Sequence, residues 1–200
     1  MPLNIPNLLT WLRIILIPLF VGIFYFESWV SVSNQNLLAT AIFAAAAVTD
    51  WLDGWLARKL NQTSAFGAFL DPVADKLMVA AALITLVQLE RVDAIIALII
   101  IGREIAISAL REWMAGIGAG RSVAVSLLGK IKTVSQMVAI PMLLYHDPIG
   151  AFDPQRVGTW LIIFAAALTL ASMAYYLKLA LPQAWRTREP PPRRLPGEGP

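Results

Sequence analysis

The chain has 200 residues, of which 58% are hydrophobic and 14% are charged. Its mean hydropathy is +0.67; soluble domains use about 45–50% apolar and about 25% charged residues, so the composition excludes an ordinary soluble domain and indicates an integral membrane protein. There is no cysteine and a single histidine, His146, so any bound metal must be held by oxygen ligands, as Mg²⁺, Mn²⁺ or Ca²⁺ are.

Several segments are apolar over the length that a helix needs to cross a bilayer, roughly 20 residues. They predict an all-α, polytopic membrane protein of about six transmembrane helices, with residues 1–181 as one domain. The first apolar run is expected to be retained, because no basic segment precedes it. Residues 182–200 are rich in Pro, Arg and Gly and are predicted to form a disordered cytoplasmic tail. The predicted spans are Leu8–Phe26, Leu37–Ala57, Asp71–Leu89, Ala94–Met114, Ser122–Tyr145 and Val157–Leu181.

The distribution of basic residues predicts the orientation in the membrane. An even number of spans places both termini on one side, and that side holds most loop arginines and lysines, whereas the opposite loops hold Arg91 and Arg156. We therefore expect cytoplasmic termini, and basic loops beside anionic lipid account for the net charge of +3 better than nucleic-acid binding does. The charges inside the spans all fall in the cytoplasmic half and predict one polar cavity open to the cytoplasm. These residues are Arg13, Asp50, Asp53, Asp71, Asp75, Arg103, Glu104, Arg111, Lys130 and Lys132.

Four of these charges are aspartates in a fixed pattern. On a helix Asp50 and Asp53 are about 60° apart, and Asp71 and Asp75 are about one turn apart, so each pair shares a face. A short connection makes the two helices antiparallel neighbours, so the acidic faces can converge. Any one aspartate could instead cap or end a helix in solvent. Together the four fit a pair of divalent ions, which can clamp the attacking and leaving oxygens of a phosphoryl transfer.

The full motif is Asp50-x-x-Asp53-Gly54-x-x-Ala57-Arg58, eight residues, then Gly67-x-x-x-Asp71-x-x-x-Asp75. It resembles the signature of the CDP-alcohol phosphatidyltransferase family at every motif position. The resemblance implies six transmembrane helices, a homodimer, and transfer of a phosphatidyl group from a CDP-linked lipid to an alcohol with release of CMP. It further implies that Asp50, Asp53 and Asp71 bind Mg²⁺ or Mn²⁺, with two ions expected. Asp75 would be both a metal ligand and the base that deprotonates the acceptor hydroxyl.

The resemblance also implies a binding site for CDP-diacylglycerol. Asn7 and Thr10 share a helix face, and their spacing alone would also fit the capped start of a helix. A similar N-x-x-T segment of the family contacts the diphosphate, which favours contact with the ligand. The other residues predicted for this site are Gly54, Ala57, Arg58, Ser64 and Gly67.

A second group of charges is basic and consists of Arg103, Arg111, Lys130 and Lys132. One interpretation is charge pairing, such as Glu104 with Arg111 or with one of the lysines, together with snorkelling to the interface. The other is a pocket for a phosphorylated acceptor, since arginine binds phosphate well.

The sequences of two later segments narrow the choice of acceptor alcohol. Gly102–Met114 and Ser122–Thr133 resemble the bacterial members of the family that form phosphatidylglycerol phosphate. That resemblance implies sn-glycerol 3-phosphate as the acceptor and the bacterial inner membrane as the location. Two alternatives remain open: a sibling enzyme that uses phosphatidylglycerol or inositol phosphate, and a divalent-cation transporter. A transporter needs polar groups across the whole bilayer, and the outer halves of the predicted spans are almost uniformly apolar.

Overall fold

The computed structural model describes residues 5–25, 30–60, 65–116 and 127–186. Within these ranges the chain forms six α-helices and one short 3-10 helix, Ile23–Tyr25. The prediction of an all-α fold is therefore confirmed for the described residues. The α-helices are α1 (Ile5–Gly22), α2 (Val32–Leu60), α3 (Ala65–Gln88), α4 (Ala94–Gly116), α5 (Leu127–Tyr145) and α6 (Pro154–Arg186).

The helices extend beyond several of the predicted spans. Helix α3 begins at Ala65 rather than at Asp71, and α2 continues to Leu60. Helix α6 runs through Pro182 to Arg186 and so extends into the segment predicted as a tail; residues 187–200 lie outside the described part, and the tail stays a prediction. For α2 and α6 the reason is that hydropathy marks the apolar part of a helix, whereas Gln, Arg, Lys and Ala continue a helix well in polar surroundings.

Two described helices are long and apolar enough to cross a membrane by length and composition, over Leu8–Tyr25 and Pro154–Lys178. Helices α2 to α5 carry charged residues within their length, which lowers their mean hydropathy. The number of six spans therefore stays a prediction. Large apolar side chains are nevertheless exposed on the outside of the bundle, and so extensive an apolar surface suits lipid better than water. Examples are Leu8, Ile15, Ile95, Leu98 and Trp160.

The helices pack so that α1 lies against α2 and α3, α5 lies between α2 and α6, and α4 joins α3 to α6. One apolar core connects these elements, and its members include Phe20, Phe43, Leu83, Ile100 and Leu144. A smaller cluster between α4 and α6 contains Ile107, Met114, Tyr176 and Ala180. This packing fixes which helix faces can meet at the end of the bundle that carries the acidic motif.

Arg91 holds the opposite end of the bundle together. It lies between α3 and α4, and its guanidinium donates to the carbonyl oxygens of Leu143 and Leu144, at 3.2 and 2.8 Å, and to Asn36 Oδ1 at 2.7 Å. Burial lowers the pKa of the Arg91 guanidinium, while the Asp147 carboxylate opposes that shift. The contacts tie the α3–α4 turn to the C-terminal end of α5 and the first turns of α2.

Gly158 lies where α6 packs closely against α5. A Cβ atom at this position would lie 2.8 Å from Leu143 Cγ and 3.2 Å from Met142 Cβ. Gly158→Ala should therefore destabilise the protein by about 1–3 kcal/mol through overpacking. Unfolding of the detergent-solubilised protein measures this change. Gly102→Ala is the matched control, because nothing lies within 4 Å of its added Cβ. Equal stability of the two variants would contradict the close packing.

Candidate active site

Charged side chains from successive helices meet at one end of the bundle. Because neighbouring helices run in opposite directions, the end of α2 lies beside the starts of α1 and α3, and the second half of α4 lies beside the start of α5. A cavity of about 140 Å³ opens between these segments. Its lining includes Asp50, Asp75, Lys76, Glu104 and Lys132 together with Val79, Thr133, Gln136 and Met137. The structure thus brings both signs of charge, from four helices, into one cavity.

Arg13 of α1 binds the first acid of the motif. Its Nη1 lies 2.7 Å from Asp50 Oδ1. The Arg13 side chain is 1% exposed and that of Asp50 is 41% exposed, so the guanidinium lies on the buried side of the pair. Arg13 also lines a small adjoining cavity together with Asp75. The sequence placed Arg13 among the charges of the first span but gave it no role. The spacing of Asn7, Thr10 and Arg13 by three residues was a usable sign that they share a face.

Thr10 connects α1 to the third acid of the motif. Its hydroxyl donates a hydrogen bond to Asp71 Oδ1. Since α1 begins at Ile5, Asn7 and Thr10 both lie inside the helix, and the interpretation of these residues as its N-terminal cap is wrong. Thr10 is buried beside the acidic motif, and its contact with a bound diphosphate stays a prediction.

Several predicted site residues cannot be placed by their side chains. Asp53, Gly54, Ala57 and Arg58 lie on α2, but their side chains, like that of Asn7, fall outside the described part, and Ser64 falls outside it entirely. Gly67 lies buried in α3. Among the side chains that are described, no group of three Asp, Glu, His or Cys residues stands close enough to hold a metal ion. The convergence of all four aspartates therefore stays a prediction.

The described acids nonetheless offer the type of ligand atom that a hard divalent ion prefers. Asp50 and Asp75 face one cavity and offer only carboxylate oxygens, the ligands that Mg²⁺ and Mn²⁺ prefer. A volume of about 140 Å³ also leaves room for water or a ligand group, since a water molecule takes about 30 Å³ of liquid volume.

The basic group is organised around Glu104. Glu104 Oε1 accepts from the Lys132 ammonium and lies 3.3 Å from Arg103 Nη1. Arg103 Nη2 donates to Ser172 Oγ of α6 at 3.1 Å. Two of the four residues predicted to bind the acceptor phosphate are thus adjacent. The expectation that a lysine pairs with Glu104 is confirmed for Lys132.

The other two predicted residues lie differently. Lys130 is exposed on α5. Arg111 is exposed on α4, and its Cζ lies 5.9 Å from the centre of the Tyr176 ring, the same distance as Arg103 Cζ. Tyr176 is fully buried. Sequence reasoning missed Tyr176 and Ser172, although their spacing of four residues places both on one face of α6.

The Arg13–Asp50 pair predicts a measurable energetic coupling. In a cycle of Arg13→Met, Asp50→Asn and the double variant, the coupling energy in unfolding should be about 0.5–3 kcal/mol, as for residues in direct contact. Unfolding of the full chain in detergent at neutral pH gives the four values. Arg156→Met combined with Asp50→Asn is the control, because Arg156 lies in the first turn of α6, at the other end of the bundle, and should show no coupling. A coupling energy of zero between Arg13 and Asp50 would exclude an ion pair between them.

Comparison with known proteins extends these observations. A family model described as CDP-alcohol phosphatidyltransferase matches residues 3–171. Two curated relatives, from Shigella flexneri serotype 5b (strain 8401) and Escherichia coli (strain K12), are each 50% identical to this chain over 182 residues. The aligned part covers 90% of this chain and 96% of each relative, and both relatives are named CDP-diacylglycerol--glycerol-3-phosphate 3-phosphatidyltransferase. The residues that line the cavity all lie within the matched region.

Proposed function

Because the chain belongs to the CDP-alcohol phosphatidyltransferase family, we propose that it transfers the phosphatidyl group of CDP-diacylglycerol to sn-glycerol 3-phosphate. The products are phosphatidylglycerol phosphate and CMP. The observation that carries this proposal is 50% identity to relatives named for that reaction, over nearly their whole length. The cavity supports it, since acids and cations stand in one space that could hold a diphosphate beside a phosphate monoester.

The reaction requires a base near the acceptor hydroxyl. The hydroxyl oxygen attacks the phosphorus that carries the diacylglycerol, the bond from that phosphorus to CMP breaks, and the hydroxyl proton must leave. Asp75 is the residue we assign to take this proton, because its carboxylate borders both the main cavity and the smaller cavity beside Arg13. A positioned general base contributes about 10²–10⁴-fold to rate.

The acidic motif would also hold the divalent ions, either Mg²⁺ or Mn²⁺. Asp50, Asp53, Asp71 and Asp75 are the proposed ligands, and two ions are expected from the number of carboxylates. When bound, such ions offset the charge of the diphosphate and of the departing CMP. Arg13 and Thr10 hold Asp50 and Asp71 in place from α1. We expect both contacts to orient the acids toward the cavity.

The remaining motif residues would bind the nucleotide and the diphosphate of the lipid. Asn7 and Thr10 on α1 are assigned to the diphosphate. Small residues on α2 and α3 let a ligand approach the backbone closely, and with two polar neighbours they form the rest of the site: Gly54, Ala57, Arg58, Ser64 and Gly67.

The acceptor site is assigned to the part of the cavity that Lys132 and Glu104 line. Lys132 lines the cavity, and Arg103 stands directly beyond Glu104. A phosphate monoester needs such cationic donors, whereas a neutral alcohol does not. Arg111 and Lys130 are assigned to the same site, as residues nearer its exposed edge.

The proposed setting is the bacterial inner membrane, with six spans, both termini and the cavity on the cytoplasmic side, and the chain as a homodimer. The exposed apolar side chains support the membrane location alone. A divalent-cation transporter is disfavoured because Phe43, Ala46, Met78, Val79 and Met137 surround the inner part of the acidic site with apolar groups.

Asp75→Asn should lower turnover by at least about 10²-fold, because an amide cannot accept the proton at neutral pH. Binding of CMP, measured by calorimetry, should persist, because the other motif acids remain. Asp93→Asn is the matched control: Asp93 caps α4 at the far end through a bond to the Ile95 amide, and asparagine caps equally well. Turnover of Asp75→Asn within a factor of about three of the parent would refute the role of a base.

The acceptor is tested with labelled CDP-diacylglycerol and purified protein. We expect a phosphorylated product with sn-glycerol 3-phosphate and release of CMP in equal amount. Phosphatidylglycerol and inositol phosphate, offered separately, should give little product. A product with either of these in place of glycerol 3-phosphate would identify a sibling enzyme. Metal flux in sealed vesicles without any CDP-lipid would support a transporter instead.

A further inference from the structure

Glu104 stands beside two buried cations, of which Lys132 also lines the cavity whereas Arg103 does not. Its carboxylate oxygen accepts from the Lys132 ammonium and lies 3.3 Å from the Arg103 guanidinium. Glu104 and Lys132 both line the cavity that contains Asp50 and Asp75. Arg103 lies beyond Glu104, where Ser172 and the Tyr176 ring hold it from the side of α6. An anion that enters the cavity therefore meets Lys132 and Arg103 already paired with a carboxylate.

The three side chains differ in how firmly they are held. Lys132 is 2% exposed and Arg103 is 6% exposed, whereas Glu104 is 26% exposed. Arg103 has a further hydrogen-bond partner in Ser172 and an aromatic ring beside it. Glu104 is thus the member of the cluster with most contact to the open space. It is the one that can turn away while the cations keep their positions.

Glu104 also supplies the negative charge that the two buried cations need when no acceptor is bound. Two cations buried together repel each other and lose their hydration, so an anion has to stand beside them. The acceptor offers an anion of the same kind, because a phosphate monoester also presents several oxygens to ammonium and guanidinium groups. The carboxylate and the phosphate cannot both occupy the one place between Lys132 and Arg103 without strong repulsion.

We propose that Glu104 is an internal substitute for the acceptor's phosphate. It neutralises Lys132 and Arg103 while the acceptor site is empty, and the entering phosphate displaces it. This rests on the proposed function, in that it takes the acceptor to be a phosphate monoester. The affinity for the acceptor is lowered by the work of displacing the carboxylate, since the competent arrangement is only part of the unliganded population. A neutral alcohol cannot displace Glu104, so the residue also selects for a charged acceptor.

The test is Glu104→Gln in the full-length protein. Glutamine keeps the size and an acceptor oxygen but removes the competing charge. We expect the KM for sn-glycerol 3-phosphate at saturating CDP-diacylglycerol to fall about three- to tenfold. The inhibition constant of inorganic phosphate should fall by a similar factor, and the KM for CDP-diacylglycerol should not change. Glu90→Gln, an exposed site in the α3–α4 turn, is the matched control and should leave all three values unchanged.

A second variant keeps the test decisive if glutamine impairs folding. Glu104→Asp retains the charge but withdraws the carboxylate by one methylene, so the KM for the acceptor should fall in the same direction by a smaller factor. Stabilisation against heat by glycerol 3-phosphate should be larger in either variant than in the parent, because ligand binding adds to native-state stability. An unchanged or raised KM in the variants would overturn the proposal, since Glu104 would then be idle or would only position the cations.

Lys132→Met separates this proposal from the proposed function. If Lys132→Met raises the KM for glycerol 3-phosphate at least about tenfold while Glu104→Gln also raises it, the acceptor site stands and the substitution role of Glu104 is wrong. If Lys132→Met leaves that KM unchanged, the cations do not bind the acceptor, and both the acceptor site and the role of Glu104 fall. If the parent protein forms no product with glycerol 3-phosphate, the proposed function itself fails.

Discussion

The structure depends on one constraint: a charged side chain inside an apolar helical bundle needs a partner of opposite charge or a polar ligand. The described residues satisfy this in two neighbouring groups. Arg13 meets Asp50 on the side of α1 and α2, and Glu104 meets Lys132 and Arg103 on the side of α4 and α5. Both groups border one cavity. The charges are thus kept in a low-dielectric site, where their interactions with a ligand are stronger than in water.

This arrangement explains why the two ends of the bundle differ so much. At the cavity end, partly exposed carboxylates are available to a ligand, and buried cations are paired with Asp50 and Glu104. At the other end, the Arg91 guanidinium donates hydrogen bonds to two backbone carbonyls of α5 and to Asn36 of α2. These bonds connect the α3–α4 turn to both helices. Carboxylates at the cavity end can therefore bind a ligand, whereas the hydrogen bonds of Arg91 at the other end hold the helices together. A rigid far end helps to hold the antiparallel helices in the register that the cavity requires.

Much of this could be predicted from the sequence. The helical type of the described residues followed from apolar runs, and the acidic motif predicted Asp50 and Asp75 in one place because helical spacing sets their faces. The pairing partners could not be predicted. Arg13 and Asp50, or Glu104 and Lys132, belong to different helices, and their contact depends on the rotation and register of packed helices, which local pattern does not encode. The same holds for Tyr176, which looks like an ordinary apolar residue of α6 until Arg103 and Arg111 are placed beside it.

The pairs also suggest how an anionic substrate and its metal could be accommodated without rebuilding the bundle. Each pair joins a buried cation to a more exposed carboxylate, so the carboxylate side can change partner while the cation stays. The protein would then exchange internal charge pairs for contacts with ions and phosphates, and the number of unpaired buried charges would stay low throughout.

The central claim is that the aspartates at the cavity form a site for divalent ions. The most direct measurement is a titration of the purified protein in detergent with Mn²⁺ in the presence of CMP, followed by electron paramagnetic resonance of the free ion. The account predicts saturable binding that is lost when Asp50 and Asp75 are both changed to asparagine. Binding that is absent in the parent protein, or that is unchanged in the double variant, would contradict it.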